Sequence, residues 1–179
     1  MYFDSDALNF ALLLARVWVA IMIFAHGWRH VKAIQSGPGM ANWFESLGLK
    51  PGHFHALMVT GTEIAIPIAL ALGFLTPLCY GGVCALMLVA MLTNHLKNGF
   101  FLSSAKEGYE YVLSIAVLSI ALGTLGPGKW SLDKAIFGYD SFVFDPKKAL
   151  IVTAIGGIGG PAAFLGAFWR PPKKDQAAS

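Results

Sequence analysis

Residues 8–26, LNFALLLARVWVAIMIFAH, make up an apolar run that a single charge, Arg16, interrupts. A run of this length spans the hydrocarbon core of a bilayer, roughly 30 Å, and is too long for an ordinary helix of a soluble domain. At mid-membrane an unpaired arginine costs about 2.5 to 3.5 kcal/mol, so its side chain should face protein or water and have an acidic partner. The run therefore predicts a membrane helix whose arginine pairs with a carboxylate elsewhere in the chain.

The composition places the whole chain among membrane proteins. Of its 179 residues 56% are hydrophobic and only 13% are charged, about half the charged share of a typical soluble domain. Four further apolar runs approach the spanning length, at 55–75, 78–95, 109–126 and 149–169. The prediction is an all-α integral membrane protein with five transmembrane helices, in contact with membrane lipids and with no nucleic-acid partner.

The distribution of lysine and arginine between the two sides of these helices predicts the orientation. One side carries four lysines: Lys129, Lys134, Lys147 and Lys148. The other side carries eight cations: Arg29, Lys32, Lys50, Lys97, Lys106, Arg170, Lys173 and Lys174. The richer side is predicted to be cytoplasmic, which puts the N-terminus outside and the basic C-terminal tail inside.

Two short helices are predicted outside the spans. In 40–47 the apolar residues follow the helical period over a stretch too short to cross a bilayer, which indicates a helix at the membrane interface. Ser131 can cap a second short helix that runs through Asp133 to Phe137. The fifth span contains the small residues GGIGG at 156–160. These let another helix approach closely, either from the same bundle or from another subunit.

Glu63, in the second span, is the predicted partner of Arg16. At 1.5 Å per residue Arg16 lies about 15 Å and Glu63 about 12 Å from the same membrane face, near enough in depth to pair. Further polar residues gather toward that face: His26, His30, His53, His55, His95, Tyr109, Glu110 and Tyr111. Their convergence predicts a pocket in one half of the membrane with the Arg16–Glu63 pair as its floor.

Four interpretations of this polar group stay open. Arg16 and Glu63 could form a purely structural pair that fixes the helix register. A quinone site would use histidine and glutamate to bind ring oxygens and pass protons, with aromatic side chains stacked on the ring. A metal or haem site would draw on the histidines, of which only His26 and His95 match in depth as a haem pair. A transporter would need a proton relay. A single carboxylate, Glu63, whose charge Arg16 neutralises, is weak support for such a relay.

Several motifs together resemble the DoxX family of small bacterial and archaeal membrane proteins, over about residues 10 to 137. The matching motifs are Arg16 ten residues before His26-Gly27; Trp43 with Leu47-Gly48 and Pro51; Gly61 and Glu63 with Gly73 and Thr76; His95 with Asn98-Gly99-Phe100-Phe101; Gly108-Tyr109-Glu110-Tyr111; and Gly126-Pro127-Gly128 with Ser131-Leu132-Asp133. The family pattern H-G-x-x-K has its lysine where this chain has His30.

The resemblance implies a four-helix membrane domain over 1–137. Residues 138–179 would then be an extension with a fifth transmembrane helix and a basic cytoplasmic tail. Family members resemble subunits of thiosulfate:quinone oxidoreductase and of terminal quinol oxidase assemblies. This implies a subunit of a respiratory or sulfur- or thiol-linked redox complex in the prokaryotic inner membrane that interacts with quinone.

The family's candidate functional positions carry over as Arg16, His26, Glu63, His95 and Glu110. In this hypothesis His95 and Glu110 exchange protons with the quinone head, His26 assists, and Arg16 with Glu63 forms the floor. The predicted walls are Tyr109, Tyr111 and Phe100. No metal ligands are assigned.

Electrons would come from a partner protein, because the sequence has no cysteine cluster, C-x-x-C-H motif or nucleotide-binding glycine loop. The main rival hypothesis is a non-catalytic anchor that docks other subunits through its fifth helix and tail. Haem or metal binding is a lesser alternative, and a homo-oligomer is a further arrangement to consider.

Overall fold

A computed structural model of the protein describes residues 5–103 and 107–172, and the described chain is a helical bundle. Its helices in chain order are α1 Asp6–Gln35, α2 Gly39–Ser46, α3 Gly52–Leu72, α4 Thr76–Ala90, α5 Glu110–Leu125, α6 Leu132–Phe137, α7 Pro146–Ala154 and α8 Gly160–Phe168. A π-helical turn, Met91–His95, and a 3₁₀ turn, Leu96–Asn98, extend α4. A second π-helical turn, Ile155–Gly159, joins α7 to α8. The predicted all-α membrane fold is confirmed.

Four segments are long and apolar enough to cross a bilayer: Asp6–Gln35, Gly52–Leu72, Thr76–Asn98 and Pro146–Phe168. The remaining apolar helix, α5, has 16 residues, which corresponds to about 24 Å. The five predicted runs thus all appear as helices, of which α5 is the shortest. Lys106, Lys173 and Lys174, which count toward the predicted orientation, lie outside the described residues.

Helix α1 buries a single stripe along its length. The stripe repeats every three or four residues: Asn9, Leu12, Arg16, Ala20, Ile23 and Gly27. This stripe packs against α3, and a Cβ added at Gly27 would lie 2.8 Å from the carbonyl oxygen of Glu63. Because Gly27 meets Glu63 while Arg16 reaches Ala71, the two helices run antiparallel at close range.

Helix α4 lies at the centre of the bundle and contacts α3, α5, α7 and α8. The glycine-rich stretch packs on it: a Cβ at Gly157 would lie 2.8 Å from the Cβ of Cys84, and one at Gly156 would lie 3.6 Å from the Cα of Gly81. The hydroxyl of Thr153 also donates to the carbonyl of Pro77 at 3.0 Å. These glycines therefore bring the fifth span onto its own bundle.

The two predicted short helices are present as α2 and α6. The hydroxyl of Ser131 accepts from the backbone N–H of Lys134 at 3.2 Å, as the sequence predicts for a cap. Asp133 in α6 is fully buried, and its carboxylate accepts from the backbone N–H groups of Leu75 (2.7 Å) and Thr76 (2.9 Å). Because those groups begin α4, α6 supplies the cap that α4 lacks in its own sequence.

The two ends of the bundle differ in chemistry. We call the end with the C-terminus of α1 and the N-terminus of α3 the histidine end. The opposite end, where α4 begins and α6 lies, we call the arginine end. Arg16, which is 2% exposed, reaches toward the arginine end. Its guanidinium donates to the carbonyl oxygens of Pro127 and Trp130 and, at 3.5 Å, of Ala71.

The predicted pairing of Arg16 with Glu63 is therefore wrong. The depth argument took His26 as the end of the first helix, whereas α1 continues to Gln35. Gly27, eleven residues after Arg16, already lies beside Glu63. Along the helix axis the two charges are thus separated by about 16 Å. Backbone carbonyls accept the hydrogen bonds of the buried guanidinium.

Arg16→Lys should lower the free energy of unfolding by about 2 kcal/mol. An ammonium cannot reproduce the planar fork that reaches three carbonyls, and a hydrogen bond to a charged group is worth about 1.5–3 kcal/mol. Denaturant unfolding in detergent measures the loss. Arg29→Lys is the matched control, because Arg29 is exposed on the same helix and its substitution should change stability by less than about 0.5 kcal/mol. If both variants lost the same free energy of unfolding, the three carbonyls would not be stabilising Arg16 as described.

Candidate functional site

A cavity of about 310 Å³ lies at the histidine end, bounded by α1, α2, α3, α4 and α8. Its walls are mainly apolar, formed by Trp43, Phe44, Leu47, Leu49, Met58, Val59, Gly82, Ala85, Leu86, Met87, Val89, Ala90, Gly160, Pro161 and Phe164. Its polar residues are His30, His55, Thr62, Glu63, Thr93, Asn94 and His95. Small-molecule sites are typically apolar concavities of about 300–1,000 Å³ with a few convergent polar groups, and this cavity has that character.

The closest polar contact in the cavity joins α1 to α3. Nδ1 of His30 lies 2.6 Å from Oε2 of Glu63, and the two side chains are 26% and 9% exposed. Neither of these atoms has a hydrogen-bond partner besides the other among the described residues. A buried carboxylate is costly unless a cation or donor satisfies it. His30 is thus the group that stabilises Glu63 inside the bundle.

The buried stripe of α1 explains why His30, and not His26, meets Glu63. Ile23 and Gly27 lie on the face toward α3, and His30 follows Gly27 by three residues on that face. His26 is exposed and does not line the cavity. The sequence signal for this role is the family pattern, in which His30 stands at the position of a lysine.

His55 is fully buried at one side of the cavity. Its Nε2 lies 3.4 Å from the carbonyl oxygen of Lys50, and its Nδ1 has no hydrogen-bond partner within the described ranges. The rings of Phe164 and Phe168 pack edge to face on the imidazole at centroid distances of 5.4 and 5.3 Å. An aromatic wall from α8 therefore encloses a polar group that retains unused hydrogen-bonding capacity.

The π-helical turn after α4 carries the remaining polar residues of the cavity. Thr93, Asn94 and His95 all lie in Met91–His95 and all line the cavity. A π-helical turn inserts extra backbone into a helix and often marks a functional site. Nδ1 of His95 lies 3.0 Å from the carbonyl oxygen of Glu107, which holds the ring in place. The sequence prediction of His95 as a site residue thus agrees with its position, while its role stays a prediction.

The structure does not bring the other predicted site residues to this cavity. The loop after α4 folds back on itself. The backbone N–H of Tyr109 donates to the carbonyl of Gly99 at 3.0 Å, and that of Glu110 donates to the carbonyl of Phe100 at 2.8 Å. Glu110 Oε2 then accepts from the N–H of Leu102 at 3.1 Å. Glu110 is therefore engaged in holding this loop.

The predicted aromatic walls are likewise elsewhere. Tyr109 packs edge to face on Phe100, with centroids 5.4 Å apart, and both Tyr109 and Tyr111 pack against the central apolar core. Arg16 lies toward the arginine end. Of the predicted site residues, Glu63 and His95 line the cavity, and His30 and His55 are added to them.

The described residues contain no group of three or more His, Cys, Asp or Glu side chains that could hold a metal ion. The haem pair considered from depth also does not form one site, since His95 lines the cavity and His26 is exposed outside it. The chemistry available in the cavity is hydrogen bonding and proton exchange by imidazole and carboxylate.

Fold and cavity together define a multi-pass helical membrane protein with a polar site enclosed at one end of its bundle. Residues 11–96, just under half of the chain, match the DoxX family model. It contains every cavity-lining residue except Gly160, Pro161 and Phe164. No curated protein and no solved structure matches the chain. The domain boundary predicted after residue 137 stays a prediction.

Glu63→Gln and His30→Gln should be strongly non-additive in their effects on stability. Each substitution alone breaks the same contact. The double variant should therefore lose less stability than the two single variants lose together, with a coupling energy of about 1 kcal/mol or more. Denaturant unfolding in detergent of the wild type, both single variants and the double variant measures it. Glu63→Gln combined with His26→Gln is the control pair and should be additive within about 0.5 kcal/mol. If the control pair showed the same coupling energy as the His30 and Glu63 pair, a direct interaction between His30 and Glu63 would be contradicted.

Proposed function

We propose that the protein is the membrane subunit of a redox complex and that it binds a quinone in the cavity at the histidine end. The observation that carries this proposal is the contact between His30 and Glu63 inside an apolar cavity of about 310 Å³. A quinone head is a flat apolar ring with two carbonyl oxygens. It requires apolar walls together with a small number of hydrogen-bond donors, and this cavity offers both.

The imidazoles are the groups suited to the ring oxygens. His30 and His95 come from α1 and from the end of α4, on different sides of the cavity, and an imidazole N–H can donate to a quinone carbonyl. Glu63 orients His30 through the 2.6 Å contact. Reduction of the ring to a quinol requires protons, and imidazole and carboxylate are the side chains that commonly deliver them near neutral pH.

In this proposal the protein does not supply the electrons. They come from a partner subunit, and the quinone collects them at the cavity. The histidine end faces the cytoplasm in the proposed orientation, because the side of the chain richer in lysine and arginine lies there. Protons for the quinone would then be taken from the cytoplasmic side of an inner membrane.

Glu63→Gln should weaken the binding of a short-tailed ubiquinone by about tenfold or more, the effect expected when a charged hydrogen-bond partner is lost. Titration of the purified protein in detergent, with quenching of tryptophan fluorescence as the readout, measures the affinity. This readout suits the cavity because Trp43 lines it.

Glu110→Gln is the matched control, because Glu110 is the other predicted carboxylate but holds the loop after α4 instead of lining the cavity. Its quinone affinity should equal that of the wild type. If the wild type binds no quinone, or if both variants lose affinity equally, the quinone proposal is wrong. Normal assembly of the complex without any quinone binding would favour the non-catalytic anchor.

A further inference from the structure

We propose that Gly160 forms a lateral portal through which a ligand's apolar tail passes from the cavity into the bilayer. The proposal rests on the proposed function, because it specifies how a lipid-soluble quinone occupies the same cavity. Its consequence is that a residue outside the family segment 11–96 decides which ligands fit. Ring recognition and tail passage would then be assigned to different parts of the chain.

The first observation is the exposure of Gly160. Among the residues that line the cavity, two are exposed, Trp43 and Gly160. Trp43 lies on the short helix α2 at the histidine end. Gly160 lies within the last span, Pro146–Phe168, about 21 Å along the helix from its start and about 12 Å from its end. Gly160 is therefore exposed at a depth where lipid chains surround the protein.

The second observation is the space at this position. A Cβ added at Gly160 would have no heavy atom within 4 Å apart from its own helix and chain neighbours. By contrast, a Cβ at Gly157 would collide with Cys84 at 2.8 Å. The same span thus touches α4 closely at Gly157, whereas the side-chain position of Gly160, three residues later, faces open space.

The backbone explains the change between these two glycines. The π-helical turn Ile155–Gly159 ends immediately before Gly160, and Pro161 follows directly. A π-helical turn and a proline both redirect a helix. The span packs closely on α4 at Gly157, and α8 then borders the cavity while still contacting α4, with Phe164 contributing to the wall beyond Gly160.

The third observation is the partition of polarity within the cavity. Glu63, His30, His55 and His95 supply polar groups from α1, α3 and the end of α4, while α8 contributes only Gly160, Pro161 and Phe164. An amphiphile whose head binds the imidazoles would place its tail along this apolar side. Lipid-soluble quinones carry such tails, and the opening at Gly160 leads into the environment that the tail prefers.

Gly160→Leu tests the portal. The leucine side chain would project into open space, so folding should be unaffected, and it would obstruct the opening. Affinity for a decyl-tailed benzoquinone should fall by about tenfold or more, a size typical of a steric change of one or a few methylenes. Affinity for tailless tetramethylbenzoquinone should be unchanged. Gly159→Leu is the matched control: Gly159 is also exposed and free of neighbours within 4 Å, but it does not line the cavity.

Each outcome of these titrations supports or overturns the portal. Loss of tailed-quinone affinity only in Gly160→Leu supports it. Loss of both ligands in that variant, an equal loss in Gly159→Leu, or no loss at all overturns the portal and leaves the proposed function intact. If the wild type binds neither quinone, the proposed function fails and the portal fails with it. Should Gly160→Leu not fold, Gly160→Ala must show a smaller loss with the same dependence on the tail.

Discussion

The buried carboxylate of Glu63, midway along the apolar helix α3, constrains how the neighbouring helix α1 packs against it. Glu63 can be buried only if a donor reaches it from a neighbouring helix, and that donor is His30 at 2.6 Å. The contact requires α1 and α3 to approach closely, which Gly27 permits because a larger residue would collide with the Glu63 backbone. It also requires α1 to extend well beyond His26. The length of α1 and the position of Gly27 both serve this contact.

The protein keeps the buried charges of Arg16 and Glu63 apart. Glu63 is stabilised by a titratable side chain beside an open cavity, whereas Arg16 is enclosed by the carbonyls of Ala71, Pro127 and Trp130. Between them lies a well-packed apolar core that includes Ile23, Leu70 and Val83. Backbone carbonyls do not exchange protons near neutral pH, while imidazole does. The arginine end is therefore suited to structure, and the histidine end to chemistry.

Local sequence patterns predicted most of the fold. The apolar runs gave the five long helices, the period in 40–47 gave α2, and Ser131 gave the start of α6, because these features depend on neighbouring residues. The gathering of the histidines at one end was also predictable from the order of the helices. The contact of His30 with Glu63 was not predicted, although the family pattern, which has a lysine at that position, offered a signal for a cationic or donor side chain there.

The failures came from information that the sequence does not carry locally. Taking the first helix to end at His26 shifted the depth scale, and this error alone put Arg16 beside Glu63. A cage of backbone carbonyls has no signature in side-chain identity, so the true partners of Arg16 could not be read from the chain. Glu110 was assigned to the pocket by its position at a helix start. The folding of the preceding loop, through the N–H of Leu102, sets its actual contact.

The two residues that follow α8 hydrogen-bond to the loop between α2 and α3. The indole N–H of Trp169 donates to the carbonyl of Leu47, and the backbone N–H of Arg170 donates to that of Gly48, both at 2.9 Å. Leu47 and Leu49, on either side of Gly48, belong to the cavity wall. During synthesis the first three spans leave the ribosome well before the residues that fasten this loop. The cavity wall that Gly160, Pro161 and Phe164 contribute is therefore added after the other lining residues have been synthesised.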